Sequence, residues 1–204
     1  MNKTEQEQQY DYLMSKIIAP YLKDLDYKKK GNNFRFYDTN GEFGKIVNFQ
    51  KSMWGNKYSI SFTVNVGIYL AEFEYYHRKK NSGEKFTEPA CAVRRRIGRL
   101  KNDRDTWYNI NEETNIAQLQ QTVEGDFVKY VLPYLNKIKT REDVINLLCI
   151  ESSYYPIARI KTLYNNGKQQ IALNLLGDEY RTATDVGKQL LDDLKQQLND
   201  GKGI

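Results

Sequence analysis

The chain has 204 residues, 31 Lys and Arg against 26 Asp and Glu, a net charge of +5 and 40% hydrophobic residues. Such a length builds one large domain, or a domain with a helical extension, and the mixed charge excludes a disordered chain. Two cysteines, Cys91 and Cys149, and the single histidine, His77, exclude a disulfide framework and a Cys/His zinc site. The opening "MNKTEQEQQYDYLM" lacks the apolar centre of a secretory signal, and runs such as "VINLLCI" are too short to span a bilayer. The expectation is a cytoplasmic, reduced protein that does not enter a membrane. The charge is uneven: residues 1–110 hold 20 Lys and Arg against 13 Asp and Glu, while the remainder is slightly acidic. An anionic partner suits the first part.

Taken in chain order, residues 5–26 read as a helix, with Tyr10, Leu13, Met14, Ile17, Ile18, Tyr21, Leu22 and Leu25 at helical spacing and Pro20 as a kink. "KKKGNN" then breaks the helix, and Lys28–Lys30 read as a solvated loop. Phe34 and Phe36 begin a period of two, "DTNGEFG" is a turn, and residues 45–52 form the next strand. Residues 58–70 alternate most clearly. Ile60, Phe62, Val64, Val66 and Ile68 point to a core, and Ser59, Ser61, Thr63 and Asn65 to an open polar side. Residues 72–89 read as a charged, protruding loop, and residues 91–100 and 105–110 as further strand. From residue 114 the pattern is helical. Ile116, Leu119, Val123, Phe127, Val131, Tyr134 and Ile138 form one stripe, with a late kink at Pro133. Thr140 and Asp143 form a capping box, Pro156 starts a helix, and Gly167 and Gly177 end two. In a last helix over 184–199, Val186, Leu190, Leu191, Leu194 and Leu198 face inward. The fold expected is α+β: an antiparallel meander of about five strands with helices on one face, over residues 1–138, and a helical extension over 139–204.

The chemistry centres on "AVRRRIGRL" at 92–100. On a strand, Arg94 and Arg96 share one face, while Arg95 shares the core face with Val93 and Ile97. Arg95 therefore needs an edge or a carboxylate, because an unpaired buried charge is very costly. Asn48 and Gln50 alternate with Val47 and Phe49, which puts them on the open face with Arg94, Arg96 and Trp107, and Arg99 completes the candidate partner-binding set. Guanidinium, amide and indole groups together suit an acidic peptide, or stacked single-stranded bases. The competing reading is structural: the arginines pair with acidic groups of the fold. His77 and Cys91 read as an exposed loop histidine and a buried strand cysteine rather than a catalytic dyad. Asp38 and Glu42 read as solvated turn carboxylates rather than, with Lys45, a nuclease cluster. No catalytic residue, metal ligand or cofactor site is assigned.

The order of "LKDLDYKKKGNNFRF", "IVNFQKS", "FTVNVGIY", "RRRIGRL" and "DTWYNI" resembles a bacterial family, domain of unknown function 4304, over residues 10–137. The sequence departs from its pattern at Asp26, which stands where a glycine usually precedes the aromatic at Tyr27, and at Tyr108, where a second tryptophan is common. The resemblance implies a small bacterial α+β protein without an established activity, of a kind suspected to act as immunity-like partners in conflict loci. The function expected is that of a non-catalytic interaction protein with an acidic protein partner. The alternatives are a nucleic-acid-binding module using the basic sheet face and, third, a metal-dependent nuclease or hydrolase.

Overall fold

The computed structural model describes residues 3–102 and 104–200. Helix α1, Glu5–Tyr12, opens on a capping box in which Thr4 Oγ1 accepts from the Glu7 amide and the Glu7 carboxylate accepts from the Thr4 amide. The apolar stripe then passes through a π-helical turn, Leu13–Ile18, into α2, Ala19–Lys23. Pro20 has no N–H for the preceding turn, and the widened turn ahead of it takes up the missing bond. Tyr10, Leu13, Met14, Ile18 and Leu22 are buried, and Tyr10 Oη donates to the Phe49 carbonyl at 2.9 Å.

Among the described residues, six strands form one antiparallel sheet: β1 (Lys28–Lys30), β2 (Asn33–Tyr37), β3 (Phe43–Lys51), β4 (Ile60–Leu70), β5 (Val93–Arg96) and β6 (Tyr108–Ile110). The spatial order runs from β1 to β5, and β6 also pairs β4. β5 lies opposite residues 65–68 of β4 and β6 opposite residues 60–62. Between them the chain leaves the sheet as the short helix α4, Ile97–Lys101, and a loop. The basic run at 28–30 is thus an exposed edge strand, not a loop, and the strand expected over 91–100 stops at Arg96.

One face of the sheet is the core. Phe34, Phe43, Val47, Phe49, Phe62, Val64, Val66, Ile68 and Leu70 are buried there with the helices. The expected inward set of β4 is buried throughout. Lys45 shares this face: its Nζ donates to the carbonyls of Ile138 at 2.9 Å and Leu135 at 3.4 Å and lies 4.6 Å from the centroid of the Phe36 ring. Burial lowers its pKa from the usual lysine value.

The other face has two halves. Residues 72–89 are not a protruding loop. They form α3, Ala71–Arg78, and two 3₁₀ turns that fold over the sheet. Phe86, Ala90 and Cys91 bury Ile46 and Tyr69 beneath them, with Phe86 stacked on Tyr69 at 4.4 Å. Glu74, fully buried, accepts from Tyr69 Oη at 2.8 Å and from the Ser82 amide and hydroxyl at 2.7 Å. The close approach needs glycine beneath it: a Cβ on Gly67 would lie 2.5 Å from Cys91 Sγ, and one on Gly44 2.6 Å from the Phe86 ring. The loop reading failed because its apolar residues, Phe73 and Phe86, are scattered among charges and mark no period.

The remaining helices are α5 (Ile116–Asp126), a π turn at Phe127–Val131, α6 (Leu132–Asn136), α7 (Arg141–Ile150), α8 (Pro156–Asn165), α9 (Gln169–Thr182) and α10 (Asp185–Asn199). Pro133, like Pro20, follows a π turn. Thr140 and Asp143 form the expected capping box. Gly177 does not end a helix; α9 runs through it to Thr182. Leu191, Leu194 and Leu198 face inward as expected, but Val186 and Leu190 are 73% and 55% exposed. At 100° per residue those two lie to one side of the buried stripe, and nothing among the described residues covers that side.

Candidate functional site

The uncovered half of the second face is a transverse polar row. Asn33 pairs with Asn48, Asn48 with Asn65, and Asn65 with Arg96, so four strands each place one polar side chain in register. Asn65 Nδ2 donates to Asn48 Oδ1 at 3.2 Å and Gln50 Oε1 at 2.8 Å, and Asn48 Nδ2 to Asn33 Oδ1 at 2.9 Å. These bonds fix the orientation of the amides. They also account for a departure from expectation. Thr63 and Asn65 are buried rather than open, Asn65 by its amide neighbours and Thr63 by the loop after α4, whose Thr106 carbonyl accepts from Thr63 Oγ1 at 2.8 Å.

The arginines divide as strand geometry requires. Arg94 and Arg96 stand opposite Gly67 and Asn65 on the polar face, and Arg95 opposite Val66 on the core face. Arg95 ion-pairs with Glu151 and donates to the Arg94 carbonyl. Arg94 makes a two-point contact with Glu88, Nε to Oε1 at 2.8 Å and Nη2 to Oε2 at 2.9 Å, and lies 4.9 Å from the centroid of the Tyr154 ring. That contact raises the Arg94 pKa further. Arg96 Nη1 donates to both oxygens of Asp105 at 3.0 and 2.8 Å, and its guanidinium lies 5.3 Å from the Trp107 centroid. Trp107 Nε1 donates to the same carboxylate at 3.0 Å. Arg96, then Trp107, hold the Asp105 carboxyl below the usual range. Both the ligand-ready and the structural readings of the cluster therefore have a physical basis here.

Around these groups lies an open groove of about 700 Å³, lined by Gln50, Asn65, Arg94, Arg95, Arg96 and Arg99 with Glu88, Asp105, Ser152 and Tyr154. Four of the six candidate residues line it directly. Asn48 stands behind Asn65 and Trp107 behind Arg96, so all six fall in one neighbourhood. Arg99 arrives from α4 rather than from the strand. The sequence reading missed Asn65 as a site residue and missed Glu88, Asp105 and Tyr154 altogether. Asn65 carried a signal, its alternation with Val64 and Val66. Tyr154 carried none, because it comes from the turn after α7 and only the packing of the helices brings it to Arg94.

The other candidate chemistry disperses. His77 is exposed at the end of α3 with its ring stacked on Tyr155 at 3.5 Å, whereas Cys91 is fully buried, which raises its thiol pKa well above the usual value. Asp38 accepts from the amides of Asn40, Glu42 and Phe43, closing its own turn, while Lys45 points into the core. Among the described residues, no group of three His, Cys, Asp or Glu is placed to hold a metal ion. No helix among them is long and apolar enough to cross a membrane.

Neither the curated proteins nor the solved structures provide a match to this chain. A family model does, over residues 18–137. That span carries the whole sheet and every groove residue except Ser152 and Tyr154, and it begins slightly later than the resemblance at 10–137. It covers more than half of the sequence, and the chain belongs to the family described as Domain of unknown function (DUF4304).

Proposed function

We propose that the chain is a non-catalytic, cytoplasmic partner-binding protein, immunity-like in the sense its family resemblance implies, and that its arginine–amide groove receives an acidic segment of a protein partner. The observation that carries this reading is the convergence of Arg94, Arg96 and Arg99 with Gln50 and Asn65 on one open groove. Guanidinium forks recognise carboxylates with two parallel bonds, and amides already oriented by neighbours lose little freedom on binding. Exposed Tyr154 supplies a rigid aromatic contact of the kind that anchors interfaces.

The second reading, single-stranded nucleic acid, draws on Trp107 and Tyr154 beside two arginines. Glu88 and Asp105 weigh against it, because they place carboxylates inside the groove where a phosphate backbone needs an unbroken positive track. The third reading, a nuclease or hydrolase, has little support, since Asp38 is committed to backbone amides and Lys45 to the core.

A salt-titrated binding assay separates the first two. Fluorescent Glu-rich peptides and oligo-dT are titrated against the protein and against an Arg94→Ala, Arg96→Ala double variant of confirmed fold. The expected result is peptide binding that the double variant loses, with no oligonucleotide binding at about 50 mM salt. Oligonucleotide binding whose salt slope falls by about one to two units in the double variant establishes the second reading instead.

A further inference from the structure

We infer that the corner between Arg96 and Trp107 is the carboxylate subsite of the groove, and that Asp105 fills it in the free protein as a built-in competitor that a partner's carboxylate displaces. This rests on the partner reading above and adds where the partner's acid is held and what it must replace. The fold itself shows that a carboxylate fits there. Both oxygens of Asp105 accept from Arg96 Nη1, at 3.0 and 2.8 Å, and Oδ2 also accepts from Trp107 Nε1 at 3.0 Å. Donors from the end of β5 and from the residue before β6 thus converge on one carboxylate, as a guanidinium and an indole N–H do when they recognise an acid.

The three strand arginines are matched within the fold: Arg94 by Glu88, Arg95 by Glu151 and Arg96 by Asp105. An acidic ligand therefore gains little from their charge alone and has to exchange with one of these carboxylates. They are not equally exchangeable. Glu88 makes a two-point contact, is 11% exposed and belongs to the cover, so its departure strands a half-buried Arg94. Glu151 is 23% exposed and answers an arginine on the core face. Asp105 is 54% exposed, and a pair this open contributes little net stability, so its carboxylate gives way to another at low cost. The exchange needs only a side-chain rotation, because the backbone is held on either side of Asp105. The Thr106 carbonyl accepts from Thr63 Oγ1 at 2.8 Å, and the Arg104 carbonyl packs so tightly on α4 that a Cβ on Gly98 would lie 1.7 Å from it. Arg96 stays fixed meanwhile in the ladder opposite Asn65.

The test looks for a gain of binding. A fluorescent hexaglutamate peptide is titrated by anisotropy against the full chain, against Asp105→Asn, and against Glu112→Gln, which removes the same charge from an exposed position that does not line the groove. The expected result is that Asp105→Asn binds about fivefold more tightly than the parent, or binds where the parent does not, while Glu112→Gln stays within about twofold of the parent. In a ¹⁵N–¹H spectrum the bound peptide should also move the Trp107 indole resonance of the Asp105→Asn chain. Parent binding that Asp105→Asn leaves unchanged or weakens, an equal gain in Glu112→Gln, or an unmoved Trp107 resonance overturns the displaced competitor and leaves the acidic-partner reading standing. No binding by the parent or by Asp105→Asn at about 50 mM salt rejects the acidic-partner reading and this inference with it.

Discussion

On the sheet face turned away from α1 and α5, one end buries Ile46 and Tyr69 under Phe86, Ala90 and Cys91, and the other end holds Asn48, Asn65, Arg94 and Arg96 around an open groove. The strands that build both ends are the same β3, β4 and β5. What differs is the residue type at the outward positions. Gly44 and Gly67 allow a covering segment to approach within contact distance at one end, while amides and guanidinium groups at the other end are hydrogen-bonded to one another and to carboxylates around an open groove. A sheet can therefore have one covered and one open half on a single face, and Glu88 joins them, because it belongs to the cover and pairs with Arg94.

The comparison can be broken most severely from the helix side. Phe62 is fully buried against Tyr10, Phe49 and Tyr108. Phe62→Ala is expected to cost about 3–5 kcal/mol in chemical denaturation, and a loss under about 1 kcal/mol contradicts the assignment of that face as core. Next comes the covered end of the second face. Gly67→Ala drives a methyl to 2.5 Å from Cys91 Sγ, with an expected cost of about 1–3 kcal/mol. Adding Cys91→Ala should recover part of that loss, and strict additivity of the two changes would refute the contact.

The third experiment contrasts neighbours on one strand. Arg95→Ala strands Glu151 in a half-buried position and should cost about 1–2 kcal/mol. Arg96→Ala removes a pair whose side chains are 37% and 54% exposed, so its effect on the denaturation midpoint should stay within about 0.5 kcal/mol. Equal costs at the two positions would deny the division of the strand into a core-facing and an open side. The smallest effect concerns His77, whose pKa is lowered from 6.5 by burial and then by Arg78. A lowered folded-state pKa means the unfolded chain takes up the proton first, so this contribution is present above pH 6.5 and is lost as pH falls through the folded-state value. His77→Phe keeps an aromatic ring against Tyr155 and should flatten the melting temperature between pH 7 and pH 5 slightly relative to the parent; an unchanged profile counts against the assignment.

Local chemistry was legible wherever one period or one cap decided it. The alternation of Ile60, Phe62, Val64, Val66 and Ile68, the capping box of Thr140 and Asp143, and the opposite faces of Arg94 and Arg95 follow from backbone geometry that neighbouring residues already dictate. The demand of Arg95 for a carboxylate was equally readable, because a charge on a core face has few alternatives. Its partner Glu151 was not, since fifty-six residues separate them and only the docking of the helices onto the sheet joins them. The same holds for Tyr154 over Arg94, for Lys45 at the carbonyls of Leu135 and Ile138, and for the cover formed by residues 79–92. In each case the sequence by itself determined which groups needed partners, through burial and charge, and the tertiary structure decided which distant residue met the need, because that depends on how packed elements bring remote segments within a few ångströms.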